Sequence, residues 1–250
     1  MTVATLPTTK AEEWRYADIP ALARLAPDAL EQWRAIAVPA GESLADTLVL
    51  ASGAPEMHRL RVTLGEGARA ELFAVVAGGD YARLDIDVTL GRGAHFEFGG
   101  VTIGGGDAVR EIVTRLRHAQ PEATSNQVVR AVHWGKATGN FLGRVDVARH
   151  AQKTDAAQDF KGLLLERGAA ANARPELEIY ADDVKCAHGA AIGQMDEMAR
   201  FYMASRGIAP DAARALLVRA FIADAFAAAE PQAGEALLEQ ALAALQGAAL

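Results

Sequence analysis

The sequence predicts a mainly β protein: a solenoid core of stacked coils, with short helices before it and a helical domain after it. Three observations carry this. From about Leu48 apolar residues recur at every second position, as in Leu60-Val62-Leu64, Leu84-Ile86-Val88-Leu90, Phe96-Phe98 and Val101-Ile103, which is the period of strands. The string VTLGEGA at 62–68 returns as VTLGRGA at 88–94, an offset of 26 residues, and a fixed period of this size marks stacked repeats. On either side of residues 46–192 the apolar period is near 3.6 instead.

Residues 1–45 read as a helical lead-in. Trp14, Tyr16, Ile19, Leu22, Leu25, Leu30, Trp33 and Ile36 recur at threes and fours, and Pro20 and Pro27 divide the run into short helices. In the core, weaker echoes of the repeat follow as AVHWGKA at 131–137 and LLERGA at 164–169. Each ends a strand at glycine and a small residue, which lets a coil turn its corner tightly. A β-sandwich of the same short strands is the competing architecture, and the period favours the solenoid.

Residues 193–250 read as helices. Met195, Met198 and Tyr202 form one stripe that ends at Ser205-Arg206-Gly207, where glycine suits a left-handed C-terminal cap. Pro210 and Asp211 open a second helix with its apolar face through Leu216, Leu217, Ala220 and Phe221. A third, from Gly234 to Leu245, uses Leu237, Leu238, Ala241, Leu242 and Leu245. These helices are expected to cover the open ends of the solenoid, and Phe221 and Phe226 to offer a partner surface.

With 51% hydrophobic and 23% charged residues, the chain can bury a substantial core. A net charge of −7 with dispersed arginines argues against nucleic acid as a partner. The glycine clusters at 78–79, 99–100 and 104–106 lack the Gly-Lys-Ser/Thr ending of a phosphate loop, so no ATP site is expected here. A single cysteine and no signal-like start point to the cytoplasm, and no apolar run approaches a membrane span.

Cys186 stands two residues before His188, and on a strand both side chains share a face. Thiolate and imidazole suit iron-sulfur clusters and zinc, yet two ligands fall short of the four a cluster takes, so a complete site would need a second chain. The plainer alternative is a buried cysteine beside a histidine that only satisfies hydrogen bonds. His118, His133 and His150 lie too far apart in sequence for a local metal site and read as core or surface residues, His133 packing by Trp134.

Several segments together resemble the SufD family of iron-sulfur cluster assembly scaffolds: EEWRYADI at 12–19, HAQPEATSN at 118–126, FLGRV at 141–145, AQKTDAAQ at 151–158, RPELEIYADDVKCAHG at 174–189 and FYMASRGI at 201–208. The resemblance is dense from 113 to 226 and sparse before it. It implies a right-handed parallel β-helix flanked by helices, a SufB-like subunit as pairing partner, and a SufC-like ABC ATPase docked on the C-terminal helices. ATP hydrolysis would belong to that ATPase, and the chain itself would be no enzyme. By position His188 and Cys186 match the residues at the SufB–SufD seam where a cluster or iron is held transiently, with none bound tightly by the isolated chain. Pro175, at the mouth of a strand, and Arg206, at the helix turn, are candidates for shaping the docking surface, together with Phe201, Tyr202 and Phe221. The N-terminal region is shorter than in typical members.

Two rival functions stand beside this. One is a β-solenoid carbohydrate-active enzyme using Asp182 and Asp183, or Asp85 and Asp87, as paired carboxylates. The other is a stand-alone homodimer binding metal through Cys186 and His188 at a two-fold interface.

Overall fold

The computed structural model describes residues 6–26 and 28–248, so Pro27 of the lead-in lies outside the described residues. Twelve strands among them form six coils. β1 (Arg34–Val38) and β2 (Ser43–Leu50) make the first, β3 (Glu56–Leu64) and β4 (Arg69–Val76) the second, and β5 (Tyr81–Leu90) and β6 (His95–Gly104) the third. β7 (Val109–His118) and β8 (Thr124–His133) follow, then β9 (Thr138–Val147) and β10 (Asp155–Leu164), and finally β11 (Ala170–Ile179) and β12 (Lys185–Gly193). Odd-numbered strands stack into one six-stranded sheet and even-numbered strands into a second. Neighbours pair in parallel throughout, which makes this a β-solenoid and excludes the sandwich, whose neighbours run antiparallel.

The repeat seen in the sequence is the coil itself. Val62 lies opposite Val88 and Leu64 opposite Leu90, so the 26-residue echo is one rung of the odd sheet. Later coils lengthen, with Thr138 opposite Ala170, and the period fades accordingly. One corner shows why glycine recurs: Gly41, Gly67 and Gly93 all take φ between +60° and +73°. Their N–H groups bond the next coil, Gly67 to the Arg92 carbonyl at 2.8 Å and Gly93 to the Pro121 carbonyl at 3.0 Å. Glu122 and Lys153 hold the same left-handed corner in later coils, at φ 65° and 64°, where glycine no longer marks it.

Alternate side chains from both sheets fill the interior: Leu60, Val62 and Leu64, then Leu84, Ile86 and Val88, then Phe96, Phe98, Phe141 and Phe160. Phe141 and Phe160 stack across it with ring centroids 5.6 Å apart. His118 and His133 are also inside, held by Ser125 Oγ at 2.9 Å and Thr102 Oγ1 at 3.1 Å. Burial pushes their pKa values down, to about 4 and about 3. The unfolded chain therefore gains protons near pH 6.5 that the folded chain refuses, and stability declines as pH falls from about 6.5 towards about 4. Denaturation midpoints followed from about pH 7.5 down to about 4.5 should show this slope, and His118→Gln should make it shallower.

The lead-in is not helical as far as Ile36. Glu12–Trp14 is one 3-10 turn, and α1 (Ile19–Leu22) is capped by Asp18, whose carboxylate accepts the Ala21 N–H at 3.1 Å. Ile36 is already a strand residue opposite Val62, because pairing to β3 outweighs a local spacing that mimics a helix. The lead-in lies on the outer face of the odd sheet, packing Trp14, Ala17, Ala21 and Leu22 around Tyr81. Beneath it is a charged network. Arg83, fully buried, donates to Asp85 at 2.7 Å, to Glu111 at 3.2 Å and to the Glu13 carbonyl at 2.8 Å, with its guanidinium 3.9 Å from the Trp14 ring centre. Glu111 also accepts from the Tyr81 hydroxyl at 2.5 Å and from Asn140 at 3.1 Å.

At the other end of the chain, α2 (Glu197–Ser205), α3 (Pro210–Ala223) and α4 (Pro231–Ala243) follow the last strand. α3, α4 and the turn between them cover the outer face of the even sheet, not the ends of the solenoid as expected from the sequence. Val218, Ile222, Phe226, Leu237, Leu238 and Ala241 pack on Phe73, Val75, Val101, Ile103, Val132 and Trp134. The buried stripe of α3 is Ala213, Val218 and Ile222, whereas Leu216 and Ala220 of the anticipated face are exposed. Gly99 permits the contact, since a Cβ there would stand 1.9 Å from the Ala225 carbonyl oxygen. Arg130 clasps the layers, donating to Asp224 at 2.9 Å and to the Asp159 carbonyl at 3.1 Å. With the helices on a face, β11 and β12 each pair on one side only among the described residues and leave the last coil open.

Candidate functional site

Cys186 and His188 lie on β12, the terminal strand of the even sheet, as the sequence places them. Their register partners are Ala156 and Gln158, both buried inward-facing residues, so the two side chains continue the inner face of the solenoid onto its open rung. His188 is exposed and Cys186 half-buried against the core. Burial and the nearby Asp155 carboxylate push the Cys186 thiol up, which keeps it protonated at neutral pH. A ligand that needs thiolate must displace that proton. Among the described residues no group of three or more His, Cys, Asp or Glu side chains gathers as a metal site. The strand thus presents two donors, on one face, at an open edge.

Pro175 is not at the mouth of a strand beside the helices. It sits in the middle of β11, in the sheet the helices do not cover, and its partner is Gly143. An unpaired edge is where a strand tolerates proline, because the missing N–H costs no ladder bond. Gly143 approaches Gln158, the residue beneath His188, so Pro175 belongs to the same end of the molecule as His188. The apolar residues Ile179, Tyr180 and Ile192 are exposed around this coil.

The other candidates collect on the helices. Phe201 is 69% and Tyr202 58% exposed on α2, with Met198 at 73% beside them and Leu216 of α3 also exposed. Met195 precedes α2 and packs inward, so the expected stripe divides: Met195 serves the core, while Met198 and Tyr202 face out. Arg206 closes α2, its guanidinium 5.0 Å from the Tyr202 ring centre, and Gly207 follows at φ +77°. Phe221 is set apart from this patch, packed against the sheet cluster 6.0 Å from Arg130.

Of the carboxylates in the rival enzyme reading, Asp85 and Asp183 are firmly engaged by cations and Asp87 lies 3.9 Å from Arg61. Asp85 is buried between Arg59 at 3.0 Å and Arg83 at 2.7 Å, and Asp182 and Asp183 sit in the turn between β11 and β12, where Asp183 pairs with Lys153. His150 is exposed. No helix of the described residues is long and apolar enough to cross a membrane.

These features define a parallel β-solenoid that carries a cysteine-histidine pair on the open inner face of its last coil. The chain belongs to the family described as SUF system FeS cluster assembly, SufBD core domain, whose model matches residues 46–221. It is similar to the iron-sulfur cluster assembly protein SufD of Escherichia coli, 40% identical over 111 residues, covering 44% of this chain and 26% of that protein. A chloroplastic protein of Arabidopsis thaliana, ABCI7, is 48% identical over 81 residues, covering 32% of this chain and 17% of the relative. SufD of Bacillus subtilis is 30% identical over 117 residues, 41% of this chain and 27% of the relative. The matched stretches therefore span about a quarter or less of these relatives.

Proposed function

We propose that the chain is a non-enzymatic scaffold subunit of iron-sulfur cluster assembly, pairing through its last coil with a SufB-like subunit and docking a SufC-like ATPase on α2 and α3. The observation that carries this is the open last coil: unpaired edges on β11 and β12, exposed Ile179, Tyr180 and Ile192, and a two-donor set that a second chain would complete. Exposed strand edges recruit another backbone unless they are blunted, and apolar side chains beside them favour one specific partner. Nascent cluster or iron is cargo at that seam, held by His188 with Cys186 beside it. ATP hydrolysis belongs to the docked partner, and the same open edges let the isolated chain pair with a second copy of itself. An acidic chain fits a partner protein better than nucleic acid, and a cytoplasmic location accords with a free thiol.

Docking is tested without removing the helices, because their loss would bare the apolar outer face of the even sheet around Val101, Val132 and Trp134. Phe201→Glu is the cleaner probe. An exposed aromatic anchor replaced by a charge should weaken co-purification with the SufC-like ATPase by about 2 kcal/mol, roughly thirtyfold, while thermal stability stays unchanged. Undiminished ATPase capture by a folded Phe201→Glu chain would place docking elsewhere.

A further inference from the structure

Inside the last three coils, polar side chains are buried with nothing to bond. Gln127 on β8 and Gln158 on β10 are 0% and 3% exposed, and neither the oxygen nor the nitrogen of either amide has a partner among the described residues. The Thr114 hydroxyl on β7 has none either. A buried polar group left unpaired costs about 1–3 kcal/mol, so several in one place call for a structural reason.

Their register supplies it. Gln127 lies opposite Gln158, and Gln158 opposite His188, so the three make one inward column that ends at the open coil. The odd sheet holds a second column, Thr114, Gly143 and Pro175. A Cβ at Gly143 would stand 3.0 Å from Gln158 Nε2, which puts the glutamine amide in the middle of the interior, one rung below the imidazole. Neighbouring strands are about 4.8 Å apart, a gap that a glutamine amide and a histidine ring can close between them. The carboxylates nearby do not compete for this face: Asp159 is turned outward to Arg130, and Asp183 is in a turn with Lys153.

We propose that Gln158 is the positioning residue of His188, a reading that rests on His188 being a ligand at the subunit seam. By a turn of its side chain the Gln158 amide oxygen, unpaired as it stands, takes one imidazole N–H and fixes the tautomer whose other nitrogen is free for a ferrous ion. A histidine that binds metal through one nitrogen is oriented by the acceptor on the other, and no carboxylate stands in this column to do it. Gln127, one rung further in and also unpaired, lies opposite Gln158, so a stacked amide ladder formed through both would end on the imidazole.

Nitrogen-15 imidazole spectra of the full chain, with His188 assigned by its loss in His188→Asn, read the tautomer directly. The wild type should hold one tautomer in about tenfold excess or more, the worth of one hydrogen bond. Gln158→Met should collapse that excess, and Gln158→Glu, which keeps an acceptor, should restore it. Freely exchanging tautomers in the wild type overturn the proposal however the variants fold, as does an unchanged tautomer in a folded Gln158→Met chain. Iron content of the assembled complex separates the two readings. A fixed tautomer with iron undiminished in His188→Ala sinks the ligand role and leaves the Gln158 contact standing, and mixed tautomers with iron lost do the reverse.

Discussion

Arg83→Ala is expected to destabilise the chain by about 3–5 kcal/mol, the usual cost of removing one partner from a buried charge network. The side chain is buried beneath the lead-in and touches Asp85, Glu111 and the Glu13 carbonyl together. Burial alone would disfavour its charge, but the Asp85 and Glu111 carboxylates outweigh that and push the guanidinium up. Without it, Glu111 keeps only Tyr81 and Asn140 as hydrogen-bond donors for a charge that water cannot reach. The Trp14 ring also loses the cation on its face. Detachment of the lead-in should therefore accompany the loss, visible as faster proteolysis before Arg34 and a lower denaturant midpoint. Arg83→Lys should recover only part, because one ammonium cannot hold three acceptors in a fork. A chain with unchanged midpoint would mean that the network adds nothing net to docking of the lead-in.

His188→Ala is expected to lower iron and sulfide in the anaerobically co-expressed complex by about tenfold or more, the range in which metal sites respond even to outer-shell changes. Stability should shift by no more than about 0.5 kcal/mol, since the side chain is exposed on an edge strand and packs on little. Cys186→Ser should cost less, because the thiol is held protonated by burial and by Asp155 and offers its sulfur only after losing that proton. The comparison must be made in the assembled complex, where a second chain can complete the donor set. Wild-type iron in a folded His188→Ala complex would remove the histidine from the site.

Much of the β core was legible because its causes are local. Alternation in Leu84–Leu90 follows from one face turned to the apolar interior, and the second glycine of VTLGEGA and of VTLGRGA follows from a corner only a left-handed residue fills easily. One clue to the helical cover was also present. In β6 the apolar residues change phase, with Phe96 and Phe98 directed inward and Val101 and Ile103 outward, and such a slip means that something covers the second face as well. The lead-in network was not legible, since Arg83 and Glu13 are 70 residues apart and a charged residue in a strand reads as solvated until its cover is known. Phe221 shows the same limit: equal in type to Phe201, it packs on the sheet while Phe201 stays in solvent.

By itself the sequence determined the strand period, the coil repeat, the cap at Gly207 and the pairing of Cys186 with His188 on one strand face, because each is written in short local strings of residues. Only the tertiary structure decided that the helices cover a face and leave the last coil open, that Pro175 lies at the same end of the molecule as His188, and that Gln127 and Gln158 line up beneath the imidazole. Those outcomes depend on which coil stacks on which, and on where apolar faces find cover, and such long-range choices are made by burial over the whole chain.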